Sequence, residues 1–75
     1  MKTDIDIFVI NKVKERRIEL NLSQVDIASE LGMSVGFIGK VESGRYPTHY
    51  NLKHLNELAK ILNCSPQDFL PEKPL

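Results

Sequence analysis

One cysteine, no tryptophan and no block of like charge set the first limits on this 75-residue chain. Cys64 can close no internal bridge and leaves no thiol pair for a metal or redox centre, which excludes a disulfide-stapled scaffold and fits a reducing compartment. The longest uninterrupted apolar run, Ile7-Phe8-Val9-Ile10, is far short of the roughly 20 residues that a membrane helix needs. Asp4 and Asp6 stand where a signal peptide carries bases. The expectation is a soluble, cytoplasmic protein with no membrane partner. Four glycines and four prolines exclude collagen-like and low-complexity classes. Ten basic side chains balance ten acidic ones. That balance argues against indiscriminate polyanion binding and leaves room for a local basic face.

What is present suffices for one small folded domain. A chain of this length hides only about 60% of the surface its unfolded form exposes, so it builds one core and no enclosed cleft between subdomains. A large enzyme is thereby excluded. With 41% hydrophobic residues the chain is expected to fold unaided.

The apolar spacing reads as short helices separated by caps. From Asp6 to Leu20, the residues Val9, Ile10, Val13 and Leu20 fall within an arc of about 100°, with Arg17 inside it. Asn21 suits the left-handed position that ends a helix, and Ser23 with Asp26 forms a capping box that starts the next. That second helix buries Val25 or Ile27, together with Ala28 and Leu31, and stops at Gly32. Ser34 caps a third helix running to Ser43 and ending at Gly44. Residues 45–50 carry no period and contain Pro47, so they form a loop with an extended entry to the proline.

Asn51 caps a fourth helix that buries Leu52, Leu55, Leu58, Ala59 and Leu62. Ser65, Pro66 and Asp68 start a single-turn fifth helix that returns Phe69 and Leu70 to the core, and Pro71 ends it. Asp4-Ile5-Asp6-Ile7 has two readings: an extension of the first helix, or an arm for dimer contacts or duplex gripping. Its acids disfavour phosphate contact. Residues 1–8 are set apart as an N-terminal extension, 9–70 as the domain and 71–75 as a frayed tail.

The third helix has two unlike sides. Ser34, Phe37, Ile38 and Val41 share the core side; Val35, Gly36, Gly39, Lys40 and Ser43 share the other. Each glycine costs roughly 1 kcal/mol against alanine in a helix interior, a poor way to build a face meant only for water. Close approach by a partner is a better reason, and a major groove about 12 Å wide admits such a helix.

The run Ser23-Gln24-Val25-Asp26-Ile27-Ala28-Ser29-Glu30-Leu31-Gly32-Met33-Ser34, with Ile38 and Val41-Glu42-Ser43-Gly44 following, resembles the helix-turn-helix of the phage repressor and Cro family, also called the xenobiotic-response-element type. Ala28 and Gly32 match its characteristic small positions. Leu58-Ala59-Lys60-Ile61-Leu62-Asn63 and Ser65-Pro66-Gln67-Asp68-Phe69-Leu70 resemble its last two helices. The resemblance implies an all-α, five-helix, lambda-repressor-like domain that regulates transcription on operator DNA as a twofold homodimer.

Matched residue by residue, the resemblance assigns Gln24 to a phosphate. It assigns Ser34, Val35, Gly36, Gly39 and Lys40 to bases or flanking phosphates, and Arg45, Thr48, His49 and Tyr50 to the sugar-phosphate backbone. Arg17 and Glu42 match a pair bridging the first and third helices. The wheel separately places Arg17 among apolar neighbours, where an unpaired charge is costly.

The chain also departs from that pattern. Val35 and Gly36 stand where better-known relatives present Gln, Arg or Ser to base edges, so Lys40 is the one long donor on the reading side. Val35 suits a thymine methyl and Lys40 the O6 or N7 of guanine, with the remaining specificity left to loop contacts and duplex deformability.

Other roles have less support. His49, His54 and Cys64 match no compact zinc spacing, and no fourth ligand accompanies them, so neither metal nor cofactor is expected. Each serine and aspartate singled out already has a capping role and no histidine has an evident orienting partner, so no enzyme is expected. Lys12, Lys14 and Arg16 read as a solvated stripe, and Phe37 as the edge of the core. The rival reading is a protein-interaction module on the same scaffold, antitoxin-like or an adaptor, favoured by the neutral net charge and the apolar Val35, Gly36, Gly39 surface.

Overall fold

The computed structural model describes all 75 residues. Four α-helices follow one another: α1 (Asp4–Glu19), α2 (Gln24–Leu31), α3 (Val35–Glu42) and α4 (Leu52–Ile61). A 3₁₀ turn (Pro66–Phe69) comes after them. The fold is all-α as the sequence implies. The expected fifth helix is this 3₁₀ turn, opened by the Ser65–Asp68 capping box with Pro66 in the first position. Helix α2 packs on both α3 and α4, and the 3₁₀ turn closes the end of the domain against α1 and α4.

Most boundaries follow from side chains bonding to free helix ends. Ser23 with Asp26 and Asn51 with His54 cap α2 and α4 reciprocally, and Ser34 Oγ accepts from Phe37 N–H at the start of α3. Asn21 is left-handed at φ 57°, ending α1 where expected.

Helix α1 starts earlier than its apolar spacing indicates. Thr3 and Asp6 form a capping box in front of Asp4, so Asp4 to Ile7 are helix and not an arm. Helix α3 ends earlier, at Glu42. Ser43 is its extended cap and Gly44 takes no positive φ, so Gly44 is not the left-handed terminator expected there.

The core draws Val9, Ile10 and Val13 from α1, Ile27 and Ala28 from α2, and Ile38 and Val41 from α3. Tyr50 from the loop, Leu55, Leu58, Ala59 and Leu62 from the fourth helical segment, and Phe69 complete it. Between Val25 and Ile27 the structure chooses Ile27, and Leu31 and Phe37 pack at the edge.

Three leucines expected inside lie outside. Leu52 is 81% exposed because it opens α4, where no neighbouring element reaches over the first turn. Leu20 is the cap of α1 and Leu70 the cap of the 3₁₀ turn, and both are exposed. Arg16 is not simply part of a solvated stripe: its Nε and Nη2 donate to the carbonyls of Leu62 and Asn63, tying α1 to the end of α4. No helix is long and apolar enough to cross a membrane.

Candidate nucleic-acid interface

The geometry between α2 and α3 is set by the two-residue turn Gly32-Met33. Gly32 is left-handed at φ 73°, a conformation strained for any residue with a Cβ, and Met33 N–H returns to the Ala28 carbonyl at 3.0 Å. The chain then re-enters a helix at Ser34. Ile38 and Val41 turn into the core with no measurable exposure, which rotates Val35, Gly36 and Lys40 to the outside. Gly39 is half-buried on the shoulder of this face, beside Gln24.

Beneath that face lies a charged clasp. Arg17 Nε donates to Glu42 Oε2 at 2.9 Å and Arg17 Nη2 to Glu42 Oε1 at 2.8 Å, while Arg17 Nη1 donates to the Leu22 carbonyl at 2.8 Å. The two side chains retain 11% and 4% of their surface. Two charges so far from water need this full set of partners, since a buried charge without one is costly. Gln24 Nε2 also donates to Glu42 Oε1, at 3.0 Å. The clasp therefore ties α1, the start of α2 and the end of α3 together. One amide hydrogen of Gln24 is committed to it and the second has no partner within the chain. The backbone N–H groups of Gln24 and Val25 have no partner within the chain.

The loop after α3 divides in two. Arg45 is exposed, and its backbone N–H donates to Ser43 Oγ at 3.2 Å. Thr48 is half-buried and His49 exposed, with His49 Nδ1 3.0 Å from the Pro47 carbonyl. A carbonyl only accepts, so this nitrogen carries the proton. Tyr50 is different: it turns into the core and presents no contact surface. It is 6% exposed, and its ring lies edge-on to Phe37 and to His54 with centroids 6.2 Å from each. Its hydroxyl is buried without a partner; burial, with the Glu42 carboxylate nearby, pushes it well above the usual phenol range. The resemblance assigns Tyr50 to the backbone-facing loop, but the domain uses its ring to cover α3 and α4.

Two participants are missed by sequence reasoning. Tyr46 lies under Lys40, whose Nζ is 5.5 Å from the ring centroid, so the one long donor on the outward face of α3 rests on the loop. Lys2 Nζ donates to the carbonyls of Val41 at 2.6 Å and Lys40 at 3.3 Å. Tyr46 was legible as a second loop aromatic. Lys2 was not, because nothing in its local sequence indicates a contact 38 residues away. No three His, Cys, Asp or Glu side chains gather into a metal-binding group.

A family model described as Helix-turn-helix matches residues 13–69. The chain belongs to the helix-turn-helix family, in its phage-repressor and Cro branch.

Among solved structures, the restriction-modification controller protein C.AhdI from Aeromonas hydrophila is 25% identical. That match covers 85% of this chain and 94% of C.AhdI, with a TM-score of 0.72. SinR, a master regulator for biofilm formation solved in complex with DNA, is 18% identical over 81% of this chain and 95% of its own, with a TM-score of 0.69. HppE crystallised with substrate and Fe(II) is 23% identical over 88% of this chain, with a TM-score of 0.75, and the chain spans only 36% of the HppE length. The scaffold thus recurs inside a longer protein, and at that identity the likeness is one of fold. No curated protein sequence matches the chain.

Proposed function

We propose that the chain binds duplex DNA as a transcriptional regulator, with α3 seated in the major groove. One observation carries this reading. The two glycines of α3 are not required by the fold: a Cβ on Gly36 would come no nearer than 3.8 Å to Ser34 Oγ, and one on Gly39 no nearer than 3.7 Å to Gln24 Oε1. Both are ordinary contacts. Gly39 in the interior of α3 still costs roughly 1 kcal/mol against alanine and Gly36 in its first turn somewhat less, so the room they leave serves something outside the chain. A helix whose backbone comes close to stacked bases has that need.

The roles follow from position. Val35 and Lys40 meet base edges, while Ser34, Gly36 and Gly39 let the helix sit deep. Gln24, with the unpartnered N–H groups at the start of α2, takes a phosphate. Arg45, Thr48 and His49 follow the sugar-phosphate backbone. The binding unit is the helical domain, expected over residues 9–70 and extended N-terminally by the start of α1, acting as a homodimer on half-sites about 34 Å apart, in the cytoplasm and without catalysis. C.AhdI and SinR, named as a controller and a regulator, support the reading.

A second reading, a protein-docking module, is favoured by Val25 and Val35. They are 61% and 47% exposed at the first turns of α2 and α3. Selection from a random duplex library at about 50 mM salt separates the two. DNA reading gives an enriched sequence whose affinity falls steeply with salt, because each neutralised phosphate releases about 0.9 counterion. A folded protein that enriches nothing refutes it.

A further inference from the structure

Three of the four helices end alike. Helices α1, α2 and α4 are each followed by a left-handed residue, Asn21, Gly32 and Asn63, and the next N–H returns to the last turn. Those returning bonds are Leu22 N–H to Arg17, Met33 N–H to Ala28 and Cys64 N–H to Ala59. Helix α3 ends without this device. Its cap, Ser43, is extended, and Ser43 N–H returns only to the Gly39 carbonyl at 3.0 Å. The carbonyls of Lys40 and Val41 would remain open if Lys2 did not reach both.

The placement of Lys2 is itself built. Thr3 and Asp6 lock the start of α1 through paired bonds, Thr3 N–H to Asp6 Oδ2 at 3.0 Å and Asp6 N–H to Thr3 Oγ1 at 3.3 Å. Those bonds fix the residue before them. The Lys2 ammonium then sits at the negative end of the α3 dipole, where a cation is favoured.

We infer that Lys2 is a positioning residue for the reading face: its ammonium closes the end of α3 and so sets the last turn, the loop that follows it, and the direction of Lys40. This inference rests on the proposed DNA reading. Lys40 is the residue whose own carbonyl Lys2 holds, so the N-terminal strap acts on the one long donor of that face. Groups that remove the charge of Lys2, such as an acetyl, have the same effect as its substitution.

The test uses the full chain as wild type, Lys2→Met and Lys2→Arg. Two readouts are combined: amide hydrogen exchange, and binding to the duplex enriched from the random pool over a range of salt. In Lys2→Met, exchange at Ser43 N–H accelerates about two- to fivefold, the range a lysine at a helix C-terminus supplies, while Leu62 N–H at the end of α4 is unchanged. DNA affinity falls by a similar factor, preference relaxes at the base pair that Lys40→Ala also blurs, and the slope of log affinity against log salt is retained. Lys2→Arg restores all three.

A slope smaller by about 0.9 makes Lys2 a phosphate contact and overturns the inference. Faster exchange in every helix, or wild-type exchange and affinity, overturns it as well. If wild type binds no duplex, the DNA reading fails by itself, and exchange at Ser43 still decides whether Lys2 holds α3.

Discussion

Arg17 on α1 and Glu42 at the last position of α3 face each other through two parallel bonds of 2.8 and 2.9 Å, with little of either side chain left in water. This pair fixes the end of α3 to the body of the domain. Removing one partner leaves a buried charge alone, so Glu42→Ala is predicted to cost about 3–5 kcal/mol in urea denaturation. The double change Arg17→Met with Glu42→Leu is predicted to recover much of that loss. A single-variant cost near zero would mean that the pair contributes nothing.

Alanine at Gly36 or Gly39 is predicted to separate stability from binding. The Cβ has room at both positions, so each change raises stability by about 0.5–1 kcal/mol, and together they raise the midpoint of thermal unfolding by several degrees. The added methyl stands where a duplex comes close, and affinity for the selected sequence falls. Alanines that stabilise and bind as wild type would leave the glycines unexplained.

Tyr50→Phe removes a hydroxyl that is buried without a partner. The change is predicted to be neutral or to stabilise the protein by up to about 1 kcal/mol, since a buried polar group without a bond is unfavourable in the folded state. DNA affinity is predicted to be unaltered. A clear destabilisation would show that the hydroxyl has a partner, such as an ordered water.

His54 is predicted to make stability depend on mildly acidic pH. Burial beside Phe37 and Tyr50 lowers its pKa below the ordinary 6.5, helped by nearby Lys53 and His49, and its Nδ1 accepts the Asn51 N–H at 3.1 Å. The unfolded chain therefore takes up the proton first. Stability is full above pH 6.5 and declines as pH falls from there toward the lower folded value. Denaturation midpoints between pH 7.5 and 5.5 measure this, and His54→Gln, which keeps an acceptor for Asn51, flattens the decline. Asp6 and Asp26, both held below the usual carboxylate range by cap bonds to Thr3 and Ser23, contribute only under stronger acid.

Local chemistry made most of the fold legible. Ser23, Ser34, Asn51 and Ser65 announce helix starts because a short oxygen-bearing side chain satisfies a backbone N–H a few residues on. Gly32 and Asn21 announce ends because they tolerate positive φ. Leu52 misled because helical spacing assigns a face without saying whether anything covers the first turn. Gly44 misled because α3 is closed by Lys2 and not by a left-handed residue. The outward side of α3 was readable from its wheel, whereas Tyr50 could be placed only once Phe37 and His54 were seen around it.

Chemical-shift mapping of the labelled protein during titration with the enriched duplex tests most directly whether α3 enters the groove. If it does, the largest changes fall on the amides of Val35, Gly36, Gly39 and Lys40, with Gln24 and Val25 next and α1 almost still. Changes gathered instead around the exposed Leu52 and Leu70, with α3 unmoved, would contradict it.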